Sequence, residues 1–296
     1  MLKQIASRWL LLIVVTASVS AFFLARAKGW NLELAVVVST LATLAIAFGL
    51  ERVIPHAPRW NGFGPDSRTD LVSAAVLVGL VDPLLKYLSP IVIVALYQAS
   101  PWDGAIELFP TQAPFVVQLL LATLLIELGR YWAHRWHHTH PYLWRLHALH
   151  HGSERLYALN NFRFHPLNYV VNFAVSVFPL MLLGMPGDVL LGYLVISQPV
   201  LMLQHANIDL HSGWLNYVFS TNEVHRWHHS TKPVEANRNY GNALVVWDIL
   251  FGTFKYVPDA NQPKRIGLFS DSSGYPAHKG YLTQLLTAFG PSCCRA

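Results

Sequence analysis

Residues 114–151 read PFVVQLLLATLLIELGRYWAHRWHHTHPYLWRLHALHH, an apolar run as far as 133 that passes directly into seven histidines. About 20 consecutive apolar residues suffice for a helix to cross the hydrocarbon core of a bilayer. The stretch therefore predicts a membrane helix whose end carries histidine. His134 and His138 stand four apart, one turn along a single helix face. His147, His150 and His151 stand at i, i+3 and i+4, and His225, His228 and His229 repeat that spacing. Each triplet can aim three ring nitrogens at one place. Thirteen of the fifteen histidines fall between His134 and His229, a density that points to a shared task.

Only 12% of the 296 residues are charged and 53% are hydrophobic, against about 25% charged in a soluble domain. Apolar stretches at 9–26, 33–50, 71–97, 168–184 and 188–204 accompany the one at 114–133. The last two are short for full crossings, and Gly184-Met185-Pro186-Gly187 turns between them, so they form a hairpin that spans or dips into the membrane. Asp82, Pro83 and Lys86 predict a kink or break in the third. The expected fold is all-α, a polytopic membrane protein of four to six spanning or dipping helices. Lys3 and Arg8 before the first apolar run also fit a secretory signal, but the run is long and a second follows closely. No repeat or low-complexity linker divides the chain, so residues 1–296 read as one domain. Cys293 and Cys294 are the only cysteines, which excludes a disulfide framework and a cysteine metal site.

Lysine and arginine concentrate in 51–70, 130–167 and 204–296 and are missing from 98–113 and 184–188. Cytoplasmic loops carry that excess, so six passes from an inside N-terminus put every histidine cluster on the cytoplasmic face. The net charge of +5 is scattered among aromatic residues beside apolar spans, which fits anionic membrane lipids and not nucleic acid.

Neutral imidazole binds iron, zinc, copper and nickel. His134, His138, His147, His150, His151, His225, His228 and His229 offer eight donors, more than one ion uses, so two ions with open positions is the economical reading. His165 and His205, near the ends of the last hairpin, are expected to complete the two shells. His137 is offset by about 100° from each neighbour on the helix and His140 precedes Pro141; both read as supporting or surface groups. His211 stays open between those roles and ligation, and His56 and His278 read as surface histidines. Glu127, two turns before His134, is a candidate acceptor for an imidazole N–H, as are Asp209, Glu223 and Asp248; a capping or solvated role suits each equally.

These residues resemble a known family. His134-Arg-x-x-His138, His147-x-x-His150-His151 and His225-x-x-His228-His229, with Arg163-x-His-Pro166, Gln204-His-Ala-Asn-Ile208, Asn239-Tyr-Gly241 and Trp247-Asp-x-Leu-Phe-Gly-Thr253, resemble the fatty acid hydroxylase and sterol desaturase superfamily of membrane histidine-box di-iron oxygenases. The resemblance runs from about 127 to 253, so it implies membrane helices over 1–126, a catalytic region over 127–255 and a tail over 256–296. It also implies a cytosolic helical cap with two histidine-bound iron ions (Fe2+/Fe3+), dioxygen as oxidant and a lipid or sterol-like substrate, in a plasma, inner or endoplasmic-reticulum-type membrane. Some members carry a further H-x-x-x-H; here His205 is followed four residues later by Asp209, leaving a carboxylate, His211 or nothing in that place.

Hydroxylation and desaturation use the same ligands, and the sequence does not separate them. No cysteine set for an iron–sulfur cluster and no Gly-x-Gly-x-x-Gly fingerprint is present, so electrons must come from an external ferredoxin or cytochrome with its reductase. A zinc-dependent membrane hydrolase is the alternative, although His-Glu-x-x-His is missing. A metal transport or storage protein is a third reading, against which the clusters stand at span ends rather than within spans.

Overall fold

The structure is a computed structural model that describes residues 2–99, 108–258, 262–263 and 265–290. Cys293, Cys294 and the middle of the cation-free 98–113 connection lie outside the described residues. The helices in chain order are α1 (Leu2–Lys28), α2 (Leu32–Val53), α3 (Ser67–Val76), α4 (Asp82–Ala99), α5 (Phe115–Thr139), α6 (Pro141–His151), α7 (Pro166–Leu182), α8 (Gly187–Gln204), α9 (Asn222–His228), α10 (Pro233–Ala236), α11 (Val246–Leu250) and α12 (Tyr281–Thr287). Among the described residues there is no strand, only three isolated bridges. The described residues form an all-helical fold, as the long apolar stretches predict.

Among the described residues, five helices are long and apolar enough to cross a membrane: Lys3–Lys28, Leu32–Val53, Ser67–Ala99, Phe115–Thr139 and Gly187–Gln204. The sixth expected stretch forms α7, whose 17 residues reach about 26 Å at 1.5 Å per residue. Gly29 closes α1 at φ 67°, where its lack of a Cβ removes the left-handed penalty. Trp30 N–H then donates to the Ala25 carbonyl at 2.9 Å, and Asn31 caps α2 by accepting from Leu34 N–H at 2.7 Å.

The kink or break expected in the third stretch takes the form of a local change of helix type. A π-helical turn over Leu77–Val81 joins α3 to α4 without a gap. Pro83 lacks an N–H, and its ring would press on the carbonyl four residues back; the wider turn makes room for it. Asp82 and Lys86 pair at 2.7 Å, so their charges enter the span as a partner set.

Helix α8 packs against α1, α2 and α5; Leu11, Val14, Ala47, Val200 and Leu203 fill part of that core. Helix α7 crosses α5 at Gly129. A Cβ there would lie 2.5 Å from the Val175 carbonyl oxygen and 2.6 Å from Ser176 Cα, so only glycine permits the crossing. This close approach brings the start of α7 beside the histidines that end α5. Pro141, at the first position of α6, stops α5 at Thr139 and turns the chain back, which sets the triplet His147, His150 and His151 opposite the pair His134 and His138.

Candidate metal centre

Nine histidines converge in two groups. His134, His138, His147, His151 and His228 form one, and His150, His205, His225 and His229 the other; within each group one ligand nitrogen per residue lies within 4.8 Å of all the rest. Helix α5 supplies His134 and His138, and α6 supplies His147, His150 and His151, divided between the groups. Helix α9 supplies His225 and His228, His229 follows it, and His205 terminates α8. All nine are buried except His134, which is partly accessible.

The outward nitrogens of six rings meet oxygen acceptors. His134 Nδ1 donates to the Tyr240 carbonyl at 2.9 Å, His138 to Asn237 Oδ1 at 3.1 Å and His147 to Asn168 Oδ1 at 2.8 Å. His150 Nδ1 donates to the Arg163 carbonyl at 3.2 Å, His205 to Asn160 Oδ1 at 2.9 Å and His228 to the Arg238 carbonyl at 2.9 Å. A carbonyl oxygen accepts and cannot donate, so each of these rings carries its proton on Nδ1 and presents a bare lone pair at Nε2. His134 Nε2 and His147 Nε2 then face each other at 3.1 Å with no proton between them. His225 Nε2 stands 3.0 Å from the Nε2 of both His205 and His229. Buried and without a hydrogen-bond partner are His138 Nε2, His228 Nε2, His225 Nδ1, His229 Nδ1 and both nitrogens of His151. Lone pairs packed against lone pairs are stabilised by a cation, and the two groups fit metal ions on that ground.

Protonation states agree. Burial first, then the neighbouring imidazoles, hold His147, His150, His151, His225 and His229 well below the ordinary histidine range. Burial lowers His205 to about 3 and His228 to about 4. The rings are neutral at pH 7, the form that binds metal.

The surrounding carboxylates have other tasks. Glu127 touches no histidine; it accepts from Tyr193 Oη at 2.7 Å and from the N–H groups of Ala243 and Leu244, each at 2.9 Å. Asp248 accepts from Tyr240 N–H at 2.8 Å and Gly241 N–H at 2.6 Å, fixing the residue whose carbonyl holds His134. Glu223 accepts from Ser212 N–H and Asn216. Asp209 is half exposed beside His211 at 3.5 Å and His56 at 3.7 Å, outside both groups. No carboxylate among the described residues joins either group.

His165 lies outside both groups. Its Nδ1 accepts from Leu167 N–H at 3.0 Å and caps α7, while its ring sits 6.0 Å from that of Phe289. His137 is buried, donating to the Ala133 carbonyl one turn back. Tyr240 rests edge-on to His134, and Phe251 stacks on Tyr131 at 5.2 Å, so the Asn-Tyr-Gly and Trp-Asp segments close the cap around the ligands. The residues that sequence reasoning missed are the acceptors: Asn160, Asn168, Asn237 and three backbone carbonyls. Carbonyls leave no trace in a sequence, and three isolated asparagines on separate elements carry no spacing signal.

Comparison with known proteins agrees with this site. The fatty acid hydroxylase family profile matches residues 119–253, which contain all nine clustered histidines. The ornithine lipid hydroxylase OlsE of Rhizobium tropici is 35% identical over 84% of this chain and 74% of its own length. Alkylglycerol monooxygenases match over shorter stretches: that of Danio rerio is 30% identical over 52% of this chain, and that of Homo sapiens 31% over 45%. The chain spans about a third of the length of these monooxygenases. No solved structure matches the chain. With five helices long and apolar enough to span, this is an integral membrane oxidoreductase, and the extended identity to a lipid hydroxylase places the chain in the fatty acid hydroxylase family.

Proposed function

We propose that this enzyme hydroxylates an unactivated C–H bond of a membrane lipid, using dioxygen and an external electron donor, at two iron ions on the cytoplasmic face. The observation that carries the reading is the pair of adjacent histidine groups, in which six of the nine rings anchor an Nδ1 proton outward and turn an Nε2 lone pair inward. His134, His138, His147, His151 and His228 would hold one ion, and His150, His205, His225 and His229 the other. When bound, the pair would supply the redox chemistry by which a C–H bond, dioxygen, two electrons and two protons become an alcohol and water. Hydroxylation is preferred over desaturation because the relatives are named hydroxylase and monooxygenase.

The chain's own residues prepare that chemistry. Burial keeps the imidazoles neutral, and the six Nδ1 hydrogen bonds fix ring orientation so that binding needs little rearrangement. Helix α5 runs unbroken from the apolar region to His138, so a lipid chain lying along it reaches the ligands without entering water. Excluding water also protects a reactive oxidant from side reactions. The arginine and lysine distribution supports the cytoplasmic placement. A zinc-hydroxide hydrolase is disfavoured because its carboxylate base has no counterpart: Glu127, Glu223 and Asp248 are committed to other donors.

The test is expression in a host of known lipid composition beside a His150→Ala/His228→Ala double variant, with lipids compared by mass spectrometry. Added oxygen in lipids from the intact protein alone is the expected result. Unchanged lipids across several classes, with the metals bound and a reduced donor present, would refute lipid hydroxylation.

A further inference from the structure

The direct acceptors of both metal groups lie within the family-matched stretch 119–253, but those of the four-histidine group are themselves held by carboxylates from outside it. In the five-histidine group, the acceptors Asn168, Asn237, Arg238 and Tyr240 all belong to the family-matched stretch 119–253. The four-histidine group is reached from outside that stretch by two buried carboxylates of the N-terminal membrane helices.

Glu51, on the last turn of α2, is 3% exposed. Its Oε1 accepts from Ala158 N–H at 2.6 Å and from Asn207 N–H at 2.8 Å. Ala158 opens the short turn carrying Asn160, whose Oδ1 accepts the His205 Nδ1 proton; Asn207 lies two residues after His205. One oxygen thus ties both flanks of His205. Asp70, on α3 and fully buried, pairs with Arg163 at 2.8 Å and accepts from Tyr157 Oη at 2.5 Å. The Arg163 guanidinium donates through Nε to the Leu149 carbonyl at 2.8 Å, and the Arg163 carbonyl accepts from His150 Nδ1. Arg163 therefore grips the chain on both sides of the His150 Cα, with Asp70 neutralising its charge. A lone buried guanidinium there would be strongly unfavourable.

We propose that Glu51 and Asp70 are positioning residues for the four-histidine metal alone, so that occupancy of that site depends on α2 and α3 whereas the five-histidine site does not. The proposal rests on the reading that each histidine group holds one ion. Ligand-supporting groups are worth about 10- to 100-fold in metal affinity. Loss of the Glu51 tie loosens the His205 acceptor and the His205 backbone together, so a weakening in that range is expected at one site only.

The test loads full-length wild-type, Glu51→Ala and Glu51→Gln proteins in lipid nanodiscs with ferrous iron under anaerobic conditions. Metal per chain is then followed through a chelator titration. Wild type should hold two equivalents. In Glu51→Ala one equivalent should leave at about 10- to 100-fold lower chelator concentration while the other stays, and Glu51→Gln, whose amide oxygen still accepts, should restore most of the loss. Assignment comes from combination: Glu51→Ala added to His205→Ala should cost nothing further, whereas added to His228→Ala it should weaken metal retention at both sites. Should Glu51→Ala fail to accumulate, Glu51→Asp, one methylene too short to reach both amides, carries the same test. Two equivalents held at wild-type affinity in these variants, or parallel loss of both, would overturn the proposal. A single equivalent in wild type would instead refute the two-metal reading on which it stands.

Discussion

Replacing Asn168 with leucine isolates one hydrogen bond of the metal centre. Asn168 is fully buried, its Oδ1 meets His147 Nδ1 at 2.8 Å, and its Nδ2 has no partner, so a leucine of similar size removes a single acceptor. Without metal, the His147 proton can move to Nε2 and be donated to His134 Nε2, 3.1 Å away. The metal-free protein then keeps its hydrogen-bond count and should unfold at or near the wild-type temperature. Metal binding forces the proton back to Nδ1, where it meets only leucine. An unsatisfied buried donor costs about 1–3 kcal/mol, and the corresponding loss of affinity, about 10- to 100-fold, equals about 1.4–2.8 kcal/mol. That penalty should fall on the five-histidine group, since Asn168 touches no member of the other. Metal retention against a chelator, measured beside thermal unfolding of the metal-free protein, checks both halves. Affinity within threefold of wild type at both sites, or a fall in metal-free stability matching the fall in affinity, would refute the reasoning.

His205 and His228 are held at about 3 and about 4 by burial, against about 6.5 in an unfolded chain. From pH 6.5 downward the unfolded chain binds more protons than the folded one, so stability is fully present above pH 6.5 and declines toward pH 4 by about 1.4 kcal/mol per unit for each such ring. Unfolding midpoints of the metal-free protein at pH 7.5, 6 and 5 should fall in that order; equal midpoints contradict the burial argument. Glu127→Leu leaves Tyr193 Oη and two backbone N–H groups without their acceptor, a loss of several kcal/mol at about 1–3 kcal/mol each. It should lower the unfolding temperature far more than Glu127→Gln does. His165→Phe should leave both metal equivalents in place and cost about 1 kcal/mol of stability through the lost cap on α7; loss of an equivalent would make His165 a ligand.

Helix periodicity made the His134–His138 pair and the two triplets legible, because ligands on one helix face must recur at fixed spacing. It could not show how α6 divides its histidines, with His147 and His151 in one group and His150 in the other. That partition depends on the turn at Pro141 and on where α9 docks, both tertiary facts. Asp209 drew attention by standing four residues after His205, yet α8 ends at Gln204. The helical spacing is broken there, and Asp209 turns to His211 and His56 at the surface. Glu127 lies on the expected helix face, but backbone donors of the 243–244 segment reach it first. Asp82-Pro83 signalled irregularity correctly, while its form, a π turn that accommodates the Pro83 ring within a continuous helix, depends on local backbone geometry that composition does not carry.

The α7–α8 hairpin bears on the membrane around the enzyme. Its two helices, of 17 and 18 residues, reach about 26–27 Å, less than a hydrocarbon core of about 30 Å. Where these helices face lipid, either the acyl layer is compressed to match them or the hairpin stops short of the far leaflet. Compression carries a modest cost per ångström of mismatch, and it would be borne beside α5 and His134, where a substrate must rise. Under compression, lipids in that annulus would be displaced from their resting depth and would lie nearer the histidine groups. If compression is the outcome, the proposed reaction should run faster in thinner membranes, which turnover in bilayers of graded acyl length would measure.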